Sequence, residues 1–242
     1  MRLQQILFSQ GFGSRRECDG LIQNGLVRLG DRVLMDGHEE LEPVGLVLQV
    51  QEQAWACHER AVILLHKPAG YECSRKPRHH PSVLSLLPAP LRHRGVQPVG
   101  RLDEDTTGLL VLTDDGALIH RLTHPRRHVG KVYEVGCVHP VDATQLQRLL
   151  AGVELHDDPA PARASACEQT GPNSLRLTIT EGRYHQIKRM VAAVGNRVQS
   201  LHRSAFGALH LPADLPAGQW RWLEDDAQAL LSADAAAPGA PG

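Results

Sequence analysis

One stretch, residues 99–113, constrains this chain more than any other. It reads Val-Gly-Arg-Leu-Asp-Glu-Asp-Thr-Thr-Gly-Leu-Leu-Val-Leu-Thr. The Thr-Thr-Gly turn feeds the apolar run Leu109 to Leu112, which has the character of a buried strand. Asp103 follows Arg101 and Leu102 just before that strand begins. A carboxylate at a strand mouth with an arginine two residues before it is placed for chemistry rather than for solubility. Charged loops beside strands are common, however, so the local pattern needs support from the rest of the chain.

Composition sets outer limits. With 242 residues, 42% of them hydrophobic, the chain buries a substantial core and has room for more than one domain. The formal charge is -1, so any grip on nucleic acid has to come from local clusters of cations. Such clusters occur at Arg75, Lys76 and Arg78; at Arg92 and Arg94; at Arg121, Arg126, Arg127 and Lys131; and at Arg183, Lys188, Arg189, Arg197 and Arg203. Five scattered cysteines without a Cys-x-x-Cys pair imply reduced thiols and a cytoplasmic protein. No stretch is apolar for long enough to span a membrane, so no membrane partner is expected.

Residues 1–51 read as a separate small module. Leu3, Ile6, Leu7 and Gln10 follow helical spacing up to Gly11 and Gly13. Ser14 and Glu17 fit a capping box for a second helix, which carries Cys18, Leu21 and Ile22 inward and ends at Gly25. Strands are expected at 26–29, 32–35 and 46–50. Arg15 and Arg16 stand in a helical first turn, where the dipole prefers acids; contact with RNA phosphates accounts for them better than stability does. The module is similar to the alpha-L RNA-binding domain, although its acids (Asp31, Asp36, Glu39, Glu40, Glu42) leave only a narrow RNA face.

Beyond it, 52–60 reads as a linker and 61–65 as a buried strand. The Pro-, His- and Arg-rich segment 75–98 is expected to be an irregular loop over a binding site, with a short helix at 83–87. Helices are predicted at 116–122 and 142–150, a strand at 132–138, and a hairpin from 164–169 and 175–180 around Gly171-Pro172-Asn173. Ile187, Met190, Val191 and Val194 mark one more helix. Residues 232–242 read as a disordered tail.

Arg101-Leu102-Asp103 followed by Thr106-x-Gly108-Leu109-Leu110 resembles the catalytic motif of the RsuA/RluB-type pseudouridine synthases. Lys67-Pro68-Ala69-Gly70-Tyr71 resembles that family's first motif, and Lys131-Val132-Tyr133 its Lys-x-Tyr element. The run from Glu181 to Met190, followed by Leu201-His202-Arg203, resembles its third. These matches fall in the family's order over roughly residues 60–210. One departure is His66, where the family usually has Asn.

The resemblance implies an α+β protein. A small alpha-L module over 1–51 would precede a catalytic domain over 61–231, with a long mixed, mostly antiparallel sheet flanked by helices. It implies isomerisation of uridine to pseudouridine, in which the N1–C1′ bond breaks and the base rejoins through C5. Asp103 would be the catalytic carboxylate, either as nucleophile at C1′ or as base at C2′ giving a glycal; the sequence leaves both routes open. Lys188 maps onto the family's cation beside that carboxylate, with Arg189 as the next neighbour. Tyr133 would stack on the flipped base and take the C5 proton, although a strand tyrosine is ordinarily half-buried core. Leu201 would pack near the base, and Arg101 and Leu102 would organise the nucleotide. Lys67, Tyr71 and Gln186 are pocket or scaffold candidates. Glu104 and Asp105 read as solvated loop acids.

The motif phrasing favours the subgroup acting on 16S small-subunit rRNA, at a uridine 516-type target. The partner would be that rRNA or a ribosome assembly intermediate, bound by a monomer. A large-subunit synthase and a non-catalytic rRNA-binding assembly factor are the alternatives. No motif demands a cofactor. His79-His80 near Cys73 matches no zinc spacing, so no metal is expected. A glycosidase would need a second carboxylate at a defined separation, and no motif supplies one.

Overall fold

The computed structural model describes residues 1–124, 127–156 and 158–232. Arg126 and nearly all of the tail expected to be disordered lie outside the described residues.

The N-terminal module forms as its pattern dictates. Helix α1 (Leu3–Ser9) buries Leu3, Ile6 and Leu7. Helix α2 (Arg15–Gln23) opens on the capping box: Glu17 N donates to Ser14 Oγ at 3.3 Å and Ser14 N to Glu17 Oε2 at 2.7 Å. Strands β1 (Val27–Leu29), β2 (Arg32–Val33) and β3 (Val47–Val50) follow, β2 stopping short of Met35. The expected linker is a correction. Gln53–Ala56 is strand β4, reached by a turn in which Gln51 and Glu52 both take positive φ, and it completes a sheet of order β2-β1-β3-β4. A polar Gln-Glu-Gln run reads as a spacer, whereas Trp55, buried in the core, shows that the segment packs.

The module is welded to the remainder of the chain. Gln10 Oε1 accepts hydrogen bonds from His58 N at 3.1 Å and Arg94 Nη1 at 2.9 Å. The Arg94 guanidinium also donates to His58 O and Glu59 O, both at 2.9 Å, and pairs with Asp114 at 2.8 Å. Arg94, expected among the RNA-facing cations, is therefore a buried staple. Trp55 packs edge-on against both Phe12 and Trp222, and one continuous core runs from Leu3 to Leu201.

The second unit is built from β5 (Val62–Lys67), a 3-10 turn (Val83–Leu86), α3 (Ala89–His93), β6 (Gln97–Pro98), β7 (Thr107–Thr113) and α4 (Gly116–Thr123). It continues with β8 (Lys131–Cys137), α5 (Ala143–Ala151), β9 (Ala166–Gly171), β10 (Ser174–Ile179) and α6 (Gln186–Ala193). It closes with β11 (Val198–Phe206), β12 (Leu209–His210), β13 (Trp220–Trp222) and α7 (Asp225–Leu230). The sheet runs β13-β5-β7-β11-β8-β10-β9, with β12 on β11 and β6 on β7. Its ladders are antiparallel except that of β7 with β11, among the described residues.

Strands β5 and β7 are apolar without alternation because both faces of the sheet are covered. Ile63, Leu65, Leu110 and Leu112 face one core, while Val62, Leu64, Leu109 and Val111 face another on the opposite side of the sheet. The parallel seam is short, pairing His202 with Thr107 and Arg203 with Gly108, and it lies directly after the Asp103 turn. Gly108 is needed there. Its φ is +109°, and a Cβ would stand 2.3 Å from Arg203 O and 2.7 Å from Arg203 N. Gly108→Ala is therefore expected to destabilise the fold by roughly 3 kcal/mol or more through strain and backbone overlap. Urea denaturation measures this; a midpoint within error of wild type would show that the seam relaxes freely.

Candidate active site

The site begins at the end of β5. Lys67 is fully buried, and its Nζ donates to three carbonyl oxygens: Pro68 at 3.0 Å, Glu104 at 2.9 Å and Thr106 at 2.8 Å. Burial pushes its pKa down, while Cys73 and the acids of the 103–105 turn act in the opposite direction. Gly70 N donates to Glu104 O at 2.9 Å and Thr106 N to Asp103 O at 3.2 Å. On the other flank, Leu102 is buried and its N–H points at Cys73 Sγ, 3.4 Å away. The turn that carries Asp103 is thus fixed through its backbone, which leaves the carboxylate free to face a cavity.

Helix α6 supplies the cations. His185 caps it in the left-handed region (φ 47°), and the buried Gln186 bonds back to Arg183 N at 2.9 Å and to Glu181 Oε1 at 2.8 Å. Ile187, Met190 and Val191 anchor the helix in the core. Lys188 then lies 3.1 Å from Asp103 Oδ2 and 2.7 Å from Asp105 Oδ1, with His185 Nε2 at 3.5 Å from Asp103 Oδ1. Burial alone would lower the Lys188 pKa, but the hydrogen bonds and charges of Asp105 and Asp103 outweigh it and hold the ammonium above its ordinary value. Asp105 is correspondingly held low: desolvation opposes this, and the Lys188 bond prevails.

These groups line a cavity of about 1040 Å³ that opens between the Asp103 turn, α4 and the 181–188 segment. Tyr133 stands on its wall from β8, buried, with no hydrogen bond to its hydroxyl among the described residues. A small recess of about 90 Å³ adjoins Asp103, Tyr133, Leu201, Ile187 and Lys188. Arg101 is exposed at the rim, and among the described residues no hydrogen bond or ion pair engages its guanidinium. The Glu72 carboxylate pins the loop above by accepting from the backbone N–H groups of Arg78, His79 and His80 at 2.8–3.1 Å.

The structure brings Asp103, Tyr133, Lys188, Leu102, Leu201 and Arg101 together. Lys67 and Gln186 act from beneath as scaffold, and Tyr71 packs against the core outside the cavity lining. Two expectations change. Arg189 is turned away from Asp103; it pairs with Asp158 at 3.3 Å and donates to His156 O, because one step along α6 rotates it about 100° from Lys188. Asp105 is no bystander, since it shares Lys188 with Asp103. Of the cationic clusters, Arg183 is consumed by Asp158 and Glu181, while Arg75, Lys76, Arg78, Arg121 and Arg127 remain exposed. His185 lines the cavity although no site role was expected of it, and Lys131 and Arg203, expected among the RNA-gripping cations, line it as well. His185 lies within the matched motif, but nothing in the sequence marks the left-handed turn that aims it.

Proteins of known family are similar to this chain along most of its length. Residues 61–193 match the family described as RNA pseudouridylate synthase, and residues 1–43 match the S4 domain. The Escherichia coli (strain K12) ribosomal small subunit pseudouridine synthase A is 40% identical over 226 residues, covering 93% of this chain and 97% of that protein. Its Vibrio cholerae counterpart is 34% identical over 96% of this chain and 99% of its own length. A crystal structure of a pseudouridylate synthase superposes with a TM-score of 0.68 at 31% identity, covering 96% of this chain and 99% of the other.

The loop over the site carries a pH dependence of known sign. Hydrogen bonds from His79, His80 and Arg78 lower the Glu72 pKa from 4.5 to about 2. A depressed folded-state value means the contribution is complete above 4.5 and is lost as pH falls toward 2. Hydrogen exchange of the amides of residues 78–80 in wild type should accelerate across that window relative to the rest of the chain. In Glu72→Gln those amides should exchange faster at all pH values and lose the extra acid dependence; identical profiles would show that the carboxylate does not hold the loop.

Proposed function

The chain belongs to the RNA pseudouridylate synthase family, and from that premise we propose that it isomerises a single uridine of 16S small-subunit rRNA, the 516-type position, with Asp103 as the catalytic carboxylate. The observation that carries this reading is the Asp103 carboxylate held by Lys188 and His185 on the wall of a cavity shared with Tyr133. The small-subunit target is supported by relatives of 34–44% identity whose names specify it.

Each part of the reaction has a group to perform it. The target nucleotide leaves its stack and enters the cavity, with Tyr133 against the base and Leu201 on the recess wall. Asp103 attacks C1′ or takes the C2′ proton as the N1–C1′ bond breaks. The Lys188 ammonium pairs with that carboxylate at 3.1 Å and fixes where it acts, which either route needs. After the base turns, C5 bonds to C1′ as the Asp103–C1′ bond breaks or, on the glycal route, as Asp103 returns the proton to C2′. Tyr133 takes the C5 proton while its own hydroxyl proton passes to water, and N1 gains one, so the product is an isomer. Asp105 holds Lys188 between two carboxylates, which fixes its position as the charge on Asp103 changes. Arg101 and the exposed cations around the rim take backbone phosphates, and the N-terminal module adds Arg15 and Arg16, both exposed on the first turn of α2.

Asp103→Asn should leave melting temperature and rRNA affinity near wild type and lower pseudouridine formation by at least about 10³-fold. Mapping pseudouridines in unmodified rRNAs and in assembly intermediates tests this together with the target: a site in large-subunit rRNA would reassign the substrate, and wild-type turnover by the variant would remove Asp103 from its role. Arg15→Ala combined with Arg16→Ala should weaken rRNA binding and reduce the salt-dependence slope by about 2, while single-turnover rate at saturating protein changes little. Unchanged affinity and slope would take the module's first turn out of the RNA interface.

A further inference from the structure

Two cations on the cavity wall have no role in the chemistry described so far. Lys131 begins β8, two residues before Tyr133 and on the same face of the strand, and both line the cavity. Arg203 lies directly across from Tyr133 on β11. The Lys131 ammonium and the Arg203 guanidinium each stand 5.4 Å from the centre of the Phe206 ring, so one aromatic ring is shared by both. Around them the wall is apolar, formed by Val99, Leu122 and Val129.

Neither is satisfied as buried cations ordinarily are. Arg203 is 1% exposed; its Nε donates to Leu109 O at 2.8 Å, but its Nη2 is buried with no hydrogen-bond partner. Lys131 makes one hydrogen bond, to Val129 O at 3.0 Å. No carboxylate forms an ion pair with either among the described residues, and Glu181 acts on Lys131 only from a distance. Burial, then the neighbouring Arg203 charge, pushes the Lys131 pKa down to about 8. Two like charges held side by side in an apolar wall destabilise the fold, and such an arrangement persists where a ligand supplies the missing negative charge. Contacts with the Phe206 ring offset only part of that cost.

We propose that Lys131 and Arg203 form an oxyanion site for the detached uracil, so that Lys131 is a further catalytic residue. The inference rests on the pseudouridine synthase reading above. When the N1–C1′ bond breaks, its electron pair leaves with N1, and the charge spreads over the uracil carbonyl oxygens. C1′ meanwhile bonds to the Asp103 carboxylate, or C2′ gives its proton to that carboxylate and a C1′=C2′ double bond forms. Tyr133 holds the ring face, and two residues along the strand Lys131 meets an oxygen at the ring edge. The charge appears on bond breaking, is lost when C5 bonds to C1′, and returns as the C5 proton departs until N1 is protonated. Donors already in place for it accelerate the step without tightening the substrate complex. The same chemistry, an anionic oxygen, could come from an RNA phosphate. Phosphates are strongly hydrated, and the exposed arginines at the rim already suit them; a delocalised base anion suits this dry wall.

The test compares the full chain with Lys131→Met, Lys131→Gln and Lys131→Arg, with Asp103→Asn as control. It measures melting temperature, rRNA affinity at several salt concentrations and single-turnover pseudouridine formation. Lys131→Met should melt no lower than wild type, because it removes a desolvated charge, and should bind rRNA with unchanged affinity and salt slope. Its single-turnover rate should fall roughly 10²-fold, with Lys131→Arg restoring most of the loss. Weaker binding with a shallower salt slope and an unaffected rate would assign Lys131 to a phosphate and overturn the proposal. So would an unchanged rate in Lys131→Met. If Lys131→Met fails to fold, Lys131→Gln is read against the same outcomes, and loss of folding in both makes the residue structural and overturns the proposal. A wild-type chain that forms no pseudouridine in any rRNA would instead overturn the enzymatic reading on which this inference stands.

Discussion

One buried ammonium organises the site. Lys67 ends a strand whose first four side chains are core aliphatics, and its three N–H donors are spent on three carbonyls, two of them in the turn after Asp103. An ammonium carries three donors and no acceptor, so this set is complete. It spends the desolvation cost of one charge on holding a backbone turn that has no regular secondary structure of its own. Remove that anchor and Thr106 would present an unpaired carbonyl, Glu104 O would keep only the Gly70 N–H, and the Asp103 side chain would lose its fixed origin. The placement of the Asp103 carboxylate therefore depends on a residue that never meets the cavity.

The rest of the geometry is set by where that turn empties. Its strand, β7, meets β11 in the short parallel seam, and Gly108 lets the two backbones approach closely there. β11 carries Leu201 and Arg203, and its antiparallel neighbour β8 carries Tyr133 and Lys131. Three strands distant in sequence thus bring the carboxylate, the aromatic ring and the buried cations to one cavity. Helix α6 completes it from outside the sheet. Its Lys188 is shared by Asp103 and Asp105, so the site's charges are balanced against each other rather than against solvent.

The join between module and sheet is rigid for a related reason. Gln10, Trp55, His58, Arg94 and Asp114 come from both units and satisfy one another, with aromatic packing around them. Arg15 and Arg16 are consequently held in fixed register with the cavity, not on a loose tether. Glu72 fixes the overlying loop by the same device used at Lys67: one charged group satisfied by several backbone partners.

Local pattern determined much of this protein. The capping box at Ser14, the apolar runs of β5 and β7, the hairpin at Gly171 and the helix around Met190 are all legible because each is set by neighbours a few residues apart. The Arg101-Leu102-Asp103 motif likewise located the carboxylate, and Lys188 its partner. What the sequence could not decide was set by groups meeting across long separations. Arg94 looked like a surface cation until Asp114 and Gln10 were found beside it, and β4 looked like a spacer until β3 paired with it. Arg189 and Lys188 are adjacent letters, yet helical rotation sends one to Asp158 and the other to Asp103. The sequence by itself established the chemistry available and the order of the elements. Tertiary structure alone decided which charges are buried, which are paired and which face the cavity, because those properties belong to the space between strands and not to any one of them.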